Sequence, residues 1–173
     1  MTAHREAGPF GDDGDHWITI EGRRWRRTDP GIPDALRAEL VDELMSARRE
    51  VGSARRAGDE GRERSARDRV HLAKVALGER GEPWWDDPSA SGQMKRLRAA
   101  VLALAMHRAP DRTICPSDAA RAVGGARWRS AMEDARGVVR ELAQSGEVEV
   151  TQGGVVLNPD AVWRGPVRIR RIA

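Results

Sequence analysis

The sequence predicts a mainly α fold with small β elements. An N-terminal β-hairpin plus antiparallel helical hairpin precedes a C-terminal winged helix-turn-helix-like domain. Three observations carry this prediction. From about Met94 the blocks LRAAVLALAMHR, CPSDAARAVGG and WRSAMEDARGVVRELAQSG read as three successive short helices. EVEVTQGGVVLN then alternates apolar and polar residues around a Gly-Gly turn, as a β-ribbon wing does. Ahead of these, apolar residues at Leu36, Leu40, Leu44, Ala47, Val51 and Ala54 make one narrow helical stripe.

The chain divides by composition. Residues 1–15 are rich in Gly and Asp without periodicity and read as a disordered tail. Residues 16–82 form the hairpin module, residues 83–92 a Pro-, Gly- and Ser-containing linker, and residues 93–173 the winged-helix-like domain. HWITIEGRRWRR reads as two strands about a Glu21-Gly22 turn, which places Ile18, Ile20 and Trp25 on one face. Trp17 and Arg26 share the other face. A lone hairpin is marginal in water, so the apolar face is expected to pack on the following helices. Pro33 suits a first helical position, Gly58-Asp59-Glu60-Gly61 breaks the helix, and Ala66, Val70, Ala73 and Leu77 continue as a second stripe. Trp84 and Trp85 sit in the linker; they are expected to dock on the hairpin or the second domain, with an aromatic platform for a base or a partner as the alternative.

In the C-terminal half, Met94, Leu97, Val101 and Leu104 form the inward face of a helix ended by Pro110, and Arg112 to Ile114 supply a short strand. Pro116 starts the next helix with Cys115 at its N-cap, and Gly124-Gly125 turns into the third. There Trp128, Met132, Ala135, Val139 and Leu142 are expected in the core. Cys115 is read as a buried small hydrophobe, against a reactive thiol at a helix N-terminus. His4, His16, His71 and His107 lack metal-ligand spacing, so neither a metal nor another cofactor is expected.

Charge is uneven. Residues 1–92 hold 16 Arg and Lys against 19 Asp and Glu, a net of −3, whereas residues 93–173 hold 14 against 8, a net of +6. A basic winged-helix half is what phosphate binding requires. Lys74 and Lys95 are the only lysines, there is no Tyr and there is one Phe, so codon bias in a GC-rich bacterial genome accounts for part of the arginine. No apolar run approaches the roughly 20 residues of a membrane span. A cytoplasmic protein without a membrane partner is expected.

A recognition helix reads bases with its N-terminal side chains, which points to Arg127, Arg129 and Ser130. Arg136 and Arg140 follow along one flank, and Arg168 and Arg170 alternate outward on a final strand as phosphate contacts. Glu133, Asp134 and Glu141 oppose that role, and the wing tip carries no Arg or Lys.

TICPSDAARAVGG, the WR after it, VTQGG and RGPVRIR resemble a bacterial family catalogued as domain of unknown function 3253. The resemblance covers roughly residues 95–172 and implies a winged-helix-like fold without a catalytic residue. Residues 17–85 resemble short uncharacterised actinobacterial proteins ending in ALGERGxPWW.

The expected function is that of a bacterial nucleic-acid-binding protein, a DNA-binding regulator or accessory factor, with RNA as the alternative ligand. The helical hairpin would then mediate a protein contact or self-association. The competing expectation is a protein-interaction scaffold whose winged-helix domain no longer binds nucleic acid. No phosphate loop, nucleophile–base motif or carboxylate cluster points to an enzyme.

Overall fold

The computed structural model describes residues 16–172; the tail expected over residues 1–15, with His4, lies outside them. Its architecture is mainly helical with two small antiparallel sheets, as the sequence predicts.

Strands β1 (Trp17–Ile20) and β2 (Arg23–Arg26) pair in the expected register, Ile18 opposite Trp25 and Trp17 opposite Arg26. The face they share is not closed as expected: Ile20 and Trp25 remain 52% and 40% exposed. The hairpin is held instead by polar and aromatic anchors. The Arg26 guanidinium donates to the carbonyls of Gly81 (2.9 Å) and Glu82 (3.2 Å), and the Trp84 indole N–H donates to the Arg27 carbonyl (3.0 Å). His16 stacks on Trp85 at 4.2 Å, and Trp84 meets Trp85 edge-on at 5.2 Å. The linker tryptophans therefore dock on the hairpin.

Helix α1 (Asp34–Ala57) buries Leu36, Leu40, Leu44, Ala47 and Ala54 of the predicted stripe, and Val51 is half-buried. It ends at Gly58, and Asp59 caps α2 (Glu60–Ala76) by accepting the Arg62 N–H at 3.0 Å. Helix α3 (Ala90–Arg108) reaches three residues back into the predicted linker because Ser89 supplies its cap. Glu82 accepts from both the Ser89 N–H and hydroxyl, which hold its carboxyl below the usual range. A Cβ on Gly92 would meet the Glu82 carboxylate at 2.0 Å, so a side chain there would displace the exposed end of Glu82 from Ser89.

α3 is wrapped on every side, with Ala99 to Ala105 buried without a break. A sequence reading from Met94, Leu97, Val101 and Leu104 finds one face of a helix whose other faces are buried mainly by alanine. The core around α3 is continuous from Ile32 on the approach to α1 through to Ile169 on the last strand, so both halves of the chain share it.

Helix α4 (Pro116–Gly124) starts at Pro116, where the Cys115 N–H donates to Asp118 at 3.0 Å. Cys115 is half-buried at this cap rather than fully enclosed. Gly125 has φ of 51°, and a Cβ would meet the Gly31 carbonyl at 3.0 Å, so glycine brings the two halves into contact. The third helix begins later than predicted: Gly125–Ala131 is a 3₁₀ segment and α5 spans Met132–Gln144. Strands β3 (Val148–Gln152), β4 (Val155–Val156) and β5 (Arg168–Arg171) form a sheet in the order β4-β3-β5. The short strand expected near Ile114 is a single bridge to Ile169.

Candidate nucleic-acid interface

The seven predicted contact residues fall in three places. Arg127, Arg129 and Ser130 lie exposed on the 3₁₀ segment rather than on the first turn of the α-helix. Trp128 between them is half-buried, packed on the core at its inner edge. Two guanidiniums lie over its ring, Arg121 at 4.6 Å and Arg129 at 4.7 Å from the centroid. Arg121 comes from α4 and was not among the predicted contacts. Its legible signal was its place as the only cation of that short helix. Among the described residues, neither these two arginines nor Arg127 has a carboxylate partner. Ser130 donates to the Arg127 carbonyl at 2.8 Å and so fixes the segment locally.

Arg136 and Arg140 are engaged inside the molecule. Arg136 donates to the carbonyls of Trp163 (2.9 Å) and Gly165 (3.2 Å), and Arg140 to those of Pro159 (2.7 Å) and Ala161 (2.6 Å). Arg140 also covers the Trp163 ring at 4.5 Å, and the Trp163 indole N–H donates to the Asn158 carbonyl at 2.8 Å. Gln144 adds a bond to Asp160. The segment between β4 and β5 is thereby laid along the flank of α5. Beyond Leu157, whose N–H donates to the Val150 carbonyl of β3 at 2.8 Å, it pairs with no strand, and the two arginines supply donors for carbonyls that would otherwise depend on water. Trp163, 7% exposed, anchors it.

Arg168 and Arg170 do alternate outward on β5, with Ile169 buried between them. Arg170 reaches Glu149 of the neighbouring strand at 2.7 Å, whereas Arg168 has no partner among the described residues. The acids of α5 also separate: Asp134 accepts from Gln93, and Glu133 and Glu141 are exposed.

Beside the 3₁₀ segment a cleft of about 600 Å³ runs against the linker, and its lining includes Lys95, Arg96 and Arg127 together with Asp86 and Asp87. Arg96 is closed off by its ion pair with Asp29 at 2.7 Å. Among the described residues no group of three or more His, Cys, Asp and Glu is placed to hold a metal ion. No helix among them is long and apolar enough to cross a membrane.

No curated protein matches this chain. Its C-terminal half, residues 94–172 from α3 to β5, matches the family model described as a protein of unknown function (DUF3253).

Proposed function

We propose that this chain binds nucleic acid through the turn between α4 and α5, with Arg121, Arg127 and Arg129 grouped about Trp128. The carrying observation is that the Arg121 and Arg129 guanidiniums lie over the half-buried Trp128 ring with Arg127 exposed next to it in sequence, and that none of the three has a carboxylate partner among the described residues. Uncompensated cations at a helix-turn-helix corner suit phosphate, and the order α3, α4, α5 followed by β3, β4, β5 is that of a winged helix-turn-helix. In this reading the segment between β3 and β5 is the wing. Arg168 adds a phosphate contact, and Arg136 and Arg140 serve the wing rather than the ligand. DNA is the expected partner, and the chain acts as a regulator or accessory factor without catalysis.

The scaffold reading draws on a different observation: Val155, Val156 and Val162 of the wing segment are 67%, 56% and 82% exposed, and the Gln152-Gly153-Gly154 tip itself carries no Arg or Lys. The two readings part in one experiment. Anisotropy of a labelled random duplex is measured with the full chain over a salt series. Weak binding that falls steeply with salt is expected. Arg121→Ala, Arg127→Ala and Arg129→Ala together should flatten the slope by about 0.9 for each phosphate that is no longer neutralised. Absence of binding at low salt favours the scaffold.

A further inference from the structure

The open face of the N-terminal hairpin overhangs a cleft of about 1030 Å³. Its apolar wall is Ile18, Ile20, Trp25 and Pro30. Lys74 forms part of its floor, only 5% exposed, with its ammonium 4.8 Å from the Trp25 ring and 3.4 Å from Glu79. Six basic residues line the cleft against two acidic ones. Glu79 already accepts the Thr28 hydroxyl as well as facing Lys74, and Arg37 pairs with Asp34. Arg23 and Arg48 have no partner among the described residues. Arg26, also in the lining, keeps Nε buried without an acceptor.

The geometry points to a binding site for a small amphipathic anion: an apolar body on Ile20 and Trp25, with a carboxylate, sulfonate or phosphate head toward Arg23 and Arg48. The size falls at the upper end of pockets that hold small ligands, roughly 300–1,000 Å³. An apolar surface on a two-stranded hairpin is otherwise left in water at a cost, and a ligand that covers it removes that cost. The excess of cations sets the sign of the ligand's charge. This site lies on the N-terminal half and is independent of nucleic-acid binding.

The test uses the full chain with anilinonaphthalene sulfonate and its uncharged parent, phenylnaphthylamine. Saturable one-to-one binding of the sulfonate is expected, with the uncharged parent about tenfold weaker. In ¹H–¹⁵N spectra the indole resonances of Trp25 and Trp84, which line the cleft, should shift, while those of Trp128 and Trp163, which do not, stay fixed. Decanoate should displace the sulfonate, and decanol should not. Ile20→Asp places a like charge beneath the ligand, and Arg48→Glu reverses the rim. Each should weaken binding about tenfold with the thermal midpoint unchanged. Arg48 is exposed on a helix, so its variant remains informative if Ile20→Asp unfolds the hairpin. The proposal is overturned by unsaturable binding, by equal affinity for the uncharged parent, by shifts at Trp163 without shifts at Trp25, or by Arg48→Glu binding as wild type does.

Discussion

Arg136 and Arg140 on α5 and the arginines around Trp128 are the same residue type within a few turns of chain, yet they have opposite surroundings. The first pair donates to four carbonyls of the segment that returns over α5. In the second group Arg121 and Arg129 lie over the Trp128 ring, and neither they nor Arg127 has a carboxylate partner among the described residues. The cause lies in the neighbouring backbone. Between β4 and β5 the chain has no ladder, so its carbonyls need donors, and a planar five-donor guanidinium reaches two of them at once. Beside the α4–3₁₀ corner the backbone bonds to itself and asks nothing of the guanidiniums. A count of positive charge therefore overstates the surface available to phosphate.

Arg108 is the extreme member of the internal class and should show the largest effect. It donates to both oxygens of Glu39 on α1 (2.8 and 3.0 Å), to Asp118 on α4 (2.9 Å) and to the Thr113 carbonyl (3.2 Å). The hydrogen bonds to Glu39 outweigh burial and raise its pKa further above that of a free arginine. Arg108→Ala leaves two half-buried carboxylates without their cation, so a loss of about 3 kcal/mol is expected in denaturant unfolding. A loss below about 0.5 kcal/mol would mean the pair behaves as a surface bridge.

Arg136→Ala with Arg140→Ala comes next, at about 2 kcal/mol for four carbonyl bonds replaced in part by water. The specific readout is local. Amides of residues 159–165 should exchange faster, and proteolysis should begin there. Duplex binding should keep its salt slope. A slope reduced in step with the two charges would move both residues into the contact surface and dissolve the comparison.

Much of the fold is legible in the sequence. The hairpin register followed from the two-residue Glu21-Gly22 loop, and the stripes of α1 and α2 from apolar spacing. What escaped was tertiary. The open face of Ile20 and Trp25 could not be read, because the anchors that hold the hairpin are backbone carbonyls far along the chain. The 3₁₀ start of the third helix was hidden because Trp128 and Met132 are four apart, the spacing of an α-helix and not of a 3₁₀ turn. Near Trp128, the sequence already places Arg127 and Arg129 side by side, whereas Arg121 comes beside the ring only through the turn that follows α4. The internal bonds of Arg136 and Arg140 have no signal in the sequence, because no pattern in GGVVLNPDAVWRG reveals where that segment folds.

Within the group around Trp128, Arg127→Ala or Arg129→Ala should each cost roughly 1–3 kcal/mol on a preferred site and less on random duplex. Stability should change by less than about 0.5 kcal/mol, since both are exposed and neither satisfies a buried group. Equal losses on every sequence would make them phosphate contacts rather than readers of bases.

The smallest effect is expected on β5, and its sign is what matters. Arg168 and Arg170 project from the same strand face, but only Arg170 is neutralised, by Glu149 directly across the ladder. The pair is partly exposed, so its contribution to stability is about 0.5 kcal/mol or less. Glu149→Ala releases Arg170 and converts a paired cation to a free one without touching Arg168. If β5 faces phosphate, binding at low salt should tighten about twofold, and the salt slope should steepen by up to about one unit. Arg168→Ala in the same background should take that gain away. Unchanged binding in both variants would remove β5 from the interface and leave the corner around Trp128 as its whole extent.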